Sequence, residues 1–159
     1  MGFFGKLFGG KAETESDTEP TGNAAAPEIS PEQLHMACAA LLLEVAEADY
    51  KDDPAETQAI LRALESELGL KRAVVTSLLD QAKVETEGAT DLFPYTHLIN
   101  QRCTREQKCA MLTAMWRVAF ADGDLDKYEE HLIRRTTELL RLEHSDFIRA
   151  KQAGRPKQN

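Results

Sequence analysis

The sequence predicts an all-α protein, a compact bundle of about seven helices built from two pseudo-repeated helical hairpins. Three observations carry that expectation. From Leu34 onward, apolar residues recur at spacings of three and four, the period of one face of a helix. Helix-opening signals stand ahead of these stripes at Ser30, Asp53, Thr104 and Asp126, each pairing a capping side chain with a helix-compatible first turn. No run alternates with period two and β-branched residues never cluster, so nothing reads as a strand.

Residues 1–29 read as a disordered N-terminal arm and linker, 30–153 as the helical domain and 154–159 as a polar, basic tail that frays. The arm begins with Phe3, Phe4, Leu7 and Phe8, a sticky tip suited to a partner or a membrane surface; the competing reading is a terminus with scattered aromatics. A myristoylation start is rejected because Lys6 occupies the Ser/Thr position. Lys11 to Ile29, rich in Glu, Thr, Ala, Gly and Pro, cannot bury enough apolar surface to offset its ordering and reads as a linker.

Ser30-Pro31-Glu32-Gln33 supplies an N-cap, a first-turn proline and a capping-box glutamine. The helix it opens carries Leu34, Ala37, Cys38, Leu41, Leu42, Val45 and Ala48 inward and should stop near Asp49. Asp53-Pro54-Ala55-Glu56 opens a second helix, whose stripe of Ile60, Leu61, Leu64 and Leu68 ends at the C-capping Gly69. A third takes Val74, Val75, Leu78, Leu79 and Ala82 and closes near Gly88. Leu92, Phe93, Tyr95, Leu98 and Ile99, with Pro94 near the start, give a short fourth. Thr104-Arg105-Glu106-Gln107 opens a long helix to Ala121, with Ala110, Met111, Ala114, Met115, Val118 and Ala119 inward and Trp116 as a further packing residue. Asp126-Lys127-Tyr128-Glu129 opens another, carrying Leu132, Ile133, Thr136, Leu139 and Leu140, and a last short helix starts at His144 or Ser145.

The chain of 159 residues is a single-domain candidate. Its net charge of -8 argues against nucleic acid, which needs basic patches to displace phosphate counterions. It suits attraction of cations or basic surfaces. Cys38, Cys103 and Cys109 form no C-x-x-C pair and leave an odd one over, which fits reduced thiols in a cytosol. No stretch approaches the roughly 18–20 apolar residues of a membrane span, and no secretory signal is read. The expected location is cytoplasmic, with peripheral contact at the inner membrane as the alternative in which the aromatic arm docks.

Sliding the chain by 73 residues sets Leu43-Glu-Val-Ala-Glu-Ala-Asp49 over Trp116-Arg-Val-Ala-Phe-Ala-Asp122. In the same frame Asp53 falls on Asp126, Glu56 on Glu129 and Ile60 on Ile133. Two related hairpins, each burying its stripe against the other, account for the match.

The V-A-x-A-D ending, followed seven residues on by a glutamate in both halves, resembles the TerB-like family, named for tellurite-resistance operons. The run from Trp116 to Gly123, with Glu129 and Ile133-Arg134-Arg135 after it, is most similar to the bacterial TerB-like subgroup. The likeness covers Ser30 to Gln152; the first copy departs from the second at Tyr50, which stands where Gly123 does. It implies an all-helical domain without established catalytic activity, associated with stress and tellurite resistance and with metal binding through acidic residues. Residue by residue it picks out Asp49, Glu56, Asp122 and Glu129.

Asp124 and Asp126 could complete an oxygen shell for a hard cation around Asp122 and Glu129. The loop is not an EF-hand: counted from Asp122, Lys127 holds the glycine position and Ile133 the closing glutamate position. With His131 alone nearby and no cysteine at ligand spacing, Ca²⁺ or Mg²⁺ is preferred to Zn²⁺. The competing reading is plain capping, which accounts for Asp53, Glu56, Asp126 and Glu129. It accounts poorly for Asp49 and Asp122, whose charge at a helix C-terminal end opposes the macrodipole. No nucleophile motif and no cofactor motif is present, and a hydrolase using the acidic cluster is the remotest reading. The expected function is therefore a non-enzymatic module that binds a divalent cation or a protein partner through an acidic face. The alternative is a membrane-proximal adaptor docked through Phe3, Phe4, Leu7 and Phe8.

Overall fold

Every capping signal read from the sequence begins a helix in the computed structural model, which describes residues 29–48, 52–88 and 91–157. The helices are α1 (Pro31–Glu47), α2 (Pro54–Leu68), α3 (Arg72–Thr86), α4 (Phe93–Arg102), α5 (Arg105–Ala119), α6 (Lys127–Leu139) and α7 (His144–Gly154), with no strand among the described residues. Phe3, Phe4, Leu7, Phe8 and Asp49 lie outside those residues. No helix among them is long and apolar enough to cross a membrane.

Reciprocal capping boxes close the starts of α1 and α5. The Gln33 N–H donates to Ser30 Oγ (3.2 Å) and the Ser30 N–H to Gln33 Oε1 (2.8 Å); Thr104 and Gln107 repeat both bonds at 3.2 and 2.8 Å. α2 and α6 begin differently. Asp53 Oδ1 accepts from the Ala55 N–H (2.8 Å) and Asp126 Oδ1 from the Tyr128 N–H (2.7 Å), so each aspartate caps from two residues back. Glu56 and Glu129, three residues past these caps, are buried. Each sits in a helix's first turn, where the macrodipole favours a carboxylate.

α1 is the central helix. It packs against α2, α3, α4, α5 and α6, and ten of its seventeen residues are buried, from Leu34 to Ala46. That is a helix apolar on most of its circumference, as a core position demands. α5 plays the matching part in the second half, and it buries Leu112 and Trp116 besides most of the predicted stripe.

The duplication extends further than the two hairpins read from the sequence. Helix α3 answers to α7: α3 packs on α1 and α2, as α7 does on α5 and α6. Each half is thus a three-helix unit, α1–α3 and α5–α7. The cross-contacts of α2 with α5 and of α6 with α1 are likewise exchanged by the pseudo-twofold relation. α4 has no counterpart; it packs on α1 and α6, and Asn100 Nδ2 donates to the Leu139 carbonyl (2.8 Å), meeting one of the orphan acceptors at the end of α6. The turns after α2 and α6 each place one residue, Gly69 (φ 67°) and Arg141 (φ 58°), in the left-handed region.

The second half is stapled by its aromatics. Trp116 meets Phe147 edge-on (5.2 Å between centroids) and stacks on Phe120 (5.6 Å). Arg134 lies over Phe147 and Lys151 over Trp116, while Glu130 pairs with both Arg134 (3.5 Å) and Lys151 (3.3 Å). Glu130 and Arg134 stand one helical turn apart, at i,i+4. At the start of α7, Arg105 Nη2 donates to both oxygens of the buried Asp146 (3.1 and 2.9 Å). Burial opposes ionisation of that carboxyl, but the Glu143 N–H and the Arg105 guanidinium hold it below the usual range.

Two details depart from the sequence reading. The fraying tail was expected to start at Gly154, yet Gly154 closes α7 and is buried against Trp116, because α5 and α7 cross where only a glycine fits. Cys109, in an apolar helical pattern like that of Cys38, is only partly buried, whereas Cys38 is buried. Burial pushes the Cys38 thiol far up and the Cys103 thiol up to about 11, so both stay protonated and unreactive.

Candidate functional site: an acidic cleft in the first half

A cavity of about 840 Å³ opens where the last turn of α1, the first turns of α2 and the end of α3 converge, with Leu132 of α6 closing one side. Its floor is apolar: Leu43 and Ala46 from α1, Ile60 from α2, Leu79 from α3. Val84, 73% exposed, forms part of its wall. Among the described residues, Glu44, Glu47, Asp52, Asp53, Glu56 and Glu87 stand around this floor, six carboxylates against the base Lys83.

The backbone adds to that imbalance. α1 and α3 both end here, and a helix C-terminus carries roughly half a negative charge. α1 has no basic residue in its last turn to offset it; instead it places Glu44 and Glu47 there. The Glu44 carboxyl is held above its ordinary range, by burial first and by the charge of Glu47 second. The cleft is a site of negative potential over apolar walls, and the chemistry it suits is that of a cation carrying its own apolar surface.

The duplicated scaffold supplies an internal comparison. In the 73-residue frame, Leu43 corresponds to Trp116, Glu44 to Arg117, Glu47 to Phe120 and Asp52 to Leu125. In the second half, Trp116 is fully buried and Phe120 and Leu125 pack against the core, so bulky side chains stand where the first half has a smaller leucine and rim acids. The helix starts are shared between the halves; the cavity above lies in the first, and its rim acids Glu44, Glu47 and Asp52 have no acidic counterpart in the second.

The residues picked from the sequence separate accordingly. Glu56 lines the cleft and is buried. Asp49 lies outside the described residues, so its relation to Asp122 is not described. Asp122, Asp124, Asp126 and Glu129 belong to the second-half elbow and do not line the cleft. There the Asp124 N–H donates to Asp122 Oδ1 (3.0 Å), Gly123 adopts φ 89°, Asp124 is exposed and Asp126 caps α6. Glu129 is buried. Among the described residues, no group of three or more His, Cys, Asp or Glu side chains is placed to hold a metal ion. The cleft residues missed from sequence are Glu44, Glu47, Asp52 and Glu87. A signal for them was present: two carboxylates in the last turn of a helix with no base to balance them.

A family model described as tellurite resistance protein TerB matches residues 35–152. No curated protein and no solved structure matches the chain.

Proposed function

The chain belongs to the tellurite resistance protein TerB family, and from that premise we propose that it is a non-enzymatic binding module whose ligand is a basic, amphipathic segment of a partner protein, held in the acidic cleft. One observation carries the reading: among the described residues, six carboxylates and one lysine line an apolar-floored cavity of about 840 Å³. A bare ion would make no use of Leu43, Ile60, Leu79 and Val84, whereas a helix or strand with lysines beside leucines would use both the floor and the rim. A role in stress or tellurite resistance is the family's association, and it comes to this chain as part of the proposal.

The test is calorimetric titration with a synthetic peptide of alternating lysine and leucine pairs, against wild type and a Glu47→Lys/Glu87→Lys double variant. Both glutamates are exposed, so the fold tolerates the change. Wild type is expected to bind, with affinity falling as salt rises, and the variant to bind at least about tenfold more weakly, which corresponds to about 1.4 kcal/mol. Equal binding, or none to wild type, refutes the proposal. Parallel titrations with Ca²⁺, Mg²⁺ and Zn²⁺ test the divalent-ion reading: saturable heat that disappears in Glu56→Gln or Asp122→Asn would replace a basic partner by a cation.

A further inference from the structure

The chain carries a segment with the chemistry that this cleft selects. Residues 1–11 contain Phe3, Phe4, Leu7 and Phe8 together with Lys6 and Lys11, and no carboxylate. Phe4, Leu7 and Phe8 are spaced by three and four residues, the spacing that gives one side of an amphipathic segment. We infer that residues 1–11 are a cis ligand of the acidic cleft, seating their aromatics on the apolar floor and their lysines on the carboxylate rim, and so compete with any partner for it. This inference rests on the proposed cleft function and adds its regulation.

Reach, charge and the intervening sequence all agree. α1 has 17 residues, about 25 Å of helix at 1.5 Å each, and the cleft lies at its far end from Ser30. Residues 12–29 number 18 and can extend to about 60 Å, so the segment reaches the cleft with chain to spare. Those 18 residues hold Glu13, Glu15, Asp17, Glu19 and Glu28 and no base; like-charge repulsion excludes them from the cleft and leaves residues 1–11 as the part attracted to it. A short tether raises the local concentration to the order of millimolar. A segment that binds in trans with Kd near 0.1 mM would then fill its own cleft about ten times out of eleven, and weaken a competitor about tenfold.

The experiment compares full-length wild type with a full-length Phe4→Ser/Phe8→Ser variant, whose changes lie outside the helical domain. Backbone amide spectra are recorded for Leu79, Lys83, Val84 and Glu87, and the lysine–leucine probe peptide is titrated into both proteins. The expected result is a shift confined to the cleft amides in the variant, with the probe binding it about tenfold more tightly than wild type. A synthetic peptide of residues 1–11, added to the variant, should return those amides towards their wild-type positions. Identical cleft amides with equal probe affinity overturn the inference while leaving the cleft's function intact. If the probe binds neither protein, the cleft's function falls, and unchanged amides then remove the inference as well. Loss of binding to anionic phospholipid vesicles in the variant, without any change at the cleft amides, assigns the segment to a membrane and also overturns it.

Discussion

Replacing Gly154 by alanine tests whether α5 and α7 cross as closely as the structure places them. A Cβ at Gly154 would lie 2.5 Å from Trp116 Cβ, 3.1 Å from the Thr113 carbonyl oxygen and 3.3 Å from the Arg117 nitrogen. Carbon atoms in contact sit about 3.5–4.0 Å apart, so the two helices must part by roughly 1–1.5 Å. None of the three neighbouring atoms can rotate away: two are backbone, and the third is the first side-chain atom of a fully buried tryptophan. Overpacking of this kind costs about 1–3 kcal/mol. Alanine's advantage over glycine, up to about 1 kcal/mol inside a helix, is reduced here because Gly154 is the last residue of α7. The net expectation is a loss of about 1–2 kcal/mol, or a fall in Tm of about 2–8 °C for a domain of this size. Thermal unfolding followed by circular dichroism measures it, and emission from Trp116, the single tryptophan, reports the local repacking. Probe-peptide binding at the cleft should not change, because no α7 residue lines it. A Tm equal to or above wild type would refute the close crossing.

Two further perturbations test other parts of the argument. Arg141→Gly should raise stability by about 1 kcal/mol, because Arg141 occupies the left-handed conformation (φ 58°), where a side chain costs roughly 1–2 kcal/mol; an unchanged or lower midpoint in denaturant unfolding removes that strain argument. Glu47→Gln tests the crowding of carboxylates at the end of α1. Glu44's folded pKa is raised above its ordinary 4.5, by burial first and Glu47 second, so its contribution to stability is present below that value and is lost as pH rises through the folded pKa. Removing the Glu47 charge lowers the raised pKa, so the Tm difference between variant and wild type should grow in the variant's favour as pH increases from about 4 to 7. A constant offset across that range would exclude the coupling.

The helical class was legible because it rests on local, additive signals. Ser30, Asp53, Thr104 and Asp126 each begin a helix by bonding an N–H two or three residues away, and such a contact is set by the sequence around it. The internal repeat was legible for the same reason, since Leu43–Asp49 and Trp116–Asp122 register residue by residue. What lay beyond local signals was that α3 and α7 answer to each other, because they share burial pattern more than identity, and the cavity formed where separate helix ends meet. The acidic stretch around Asp122 drew attention as the densest run of carboxylates in sequence. The carboxylates brought together in space are instead Glu44, Glu47, Asp52, Asp53, Glu56 and Glu87, which come from three separate helix ends.

By itself the sequence determined where helices begin, which stripes face inward, and that two halves share one plan, because capping, periodicity and identity at fixed offset act over a few residues. Only the tertiary structure decided that an acidic-rimmed cavity opens in the first half. That opening follows from volume and charge at equivalent positions: Trp116 and Phe120 pack into the second half, while Leu43 and Glu47 leave a space with an acidic rim in the first. Whether a side chain fills or borders a cavity depends on helices brought together from distant parts of the chain, and no local pattern records their meeting.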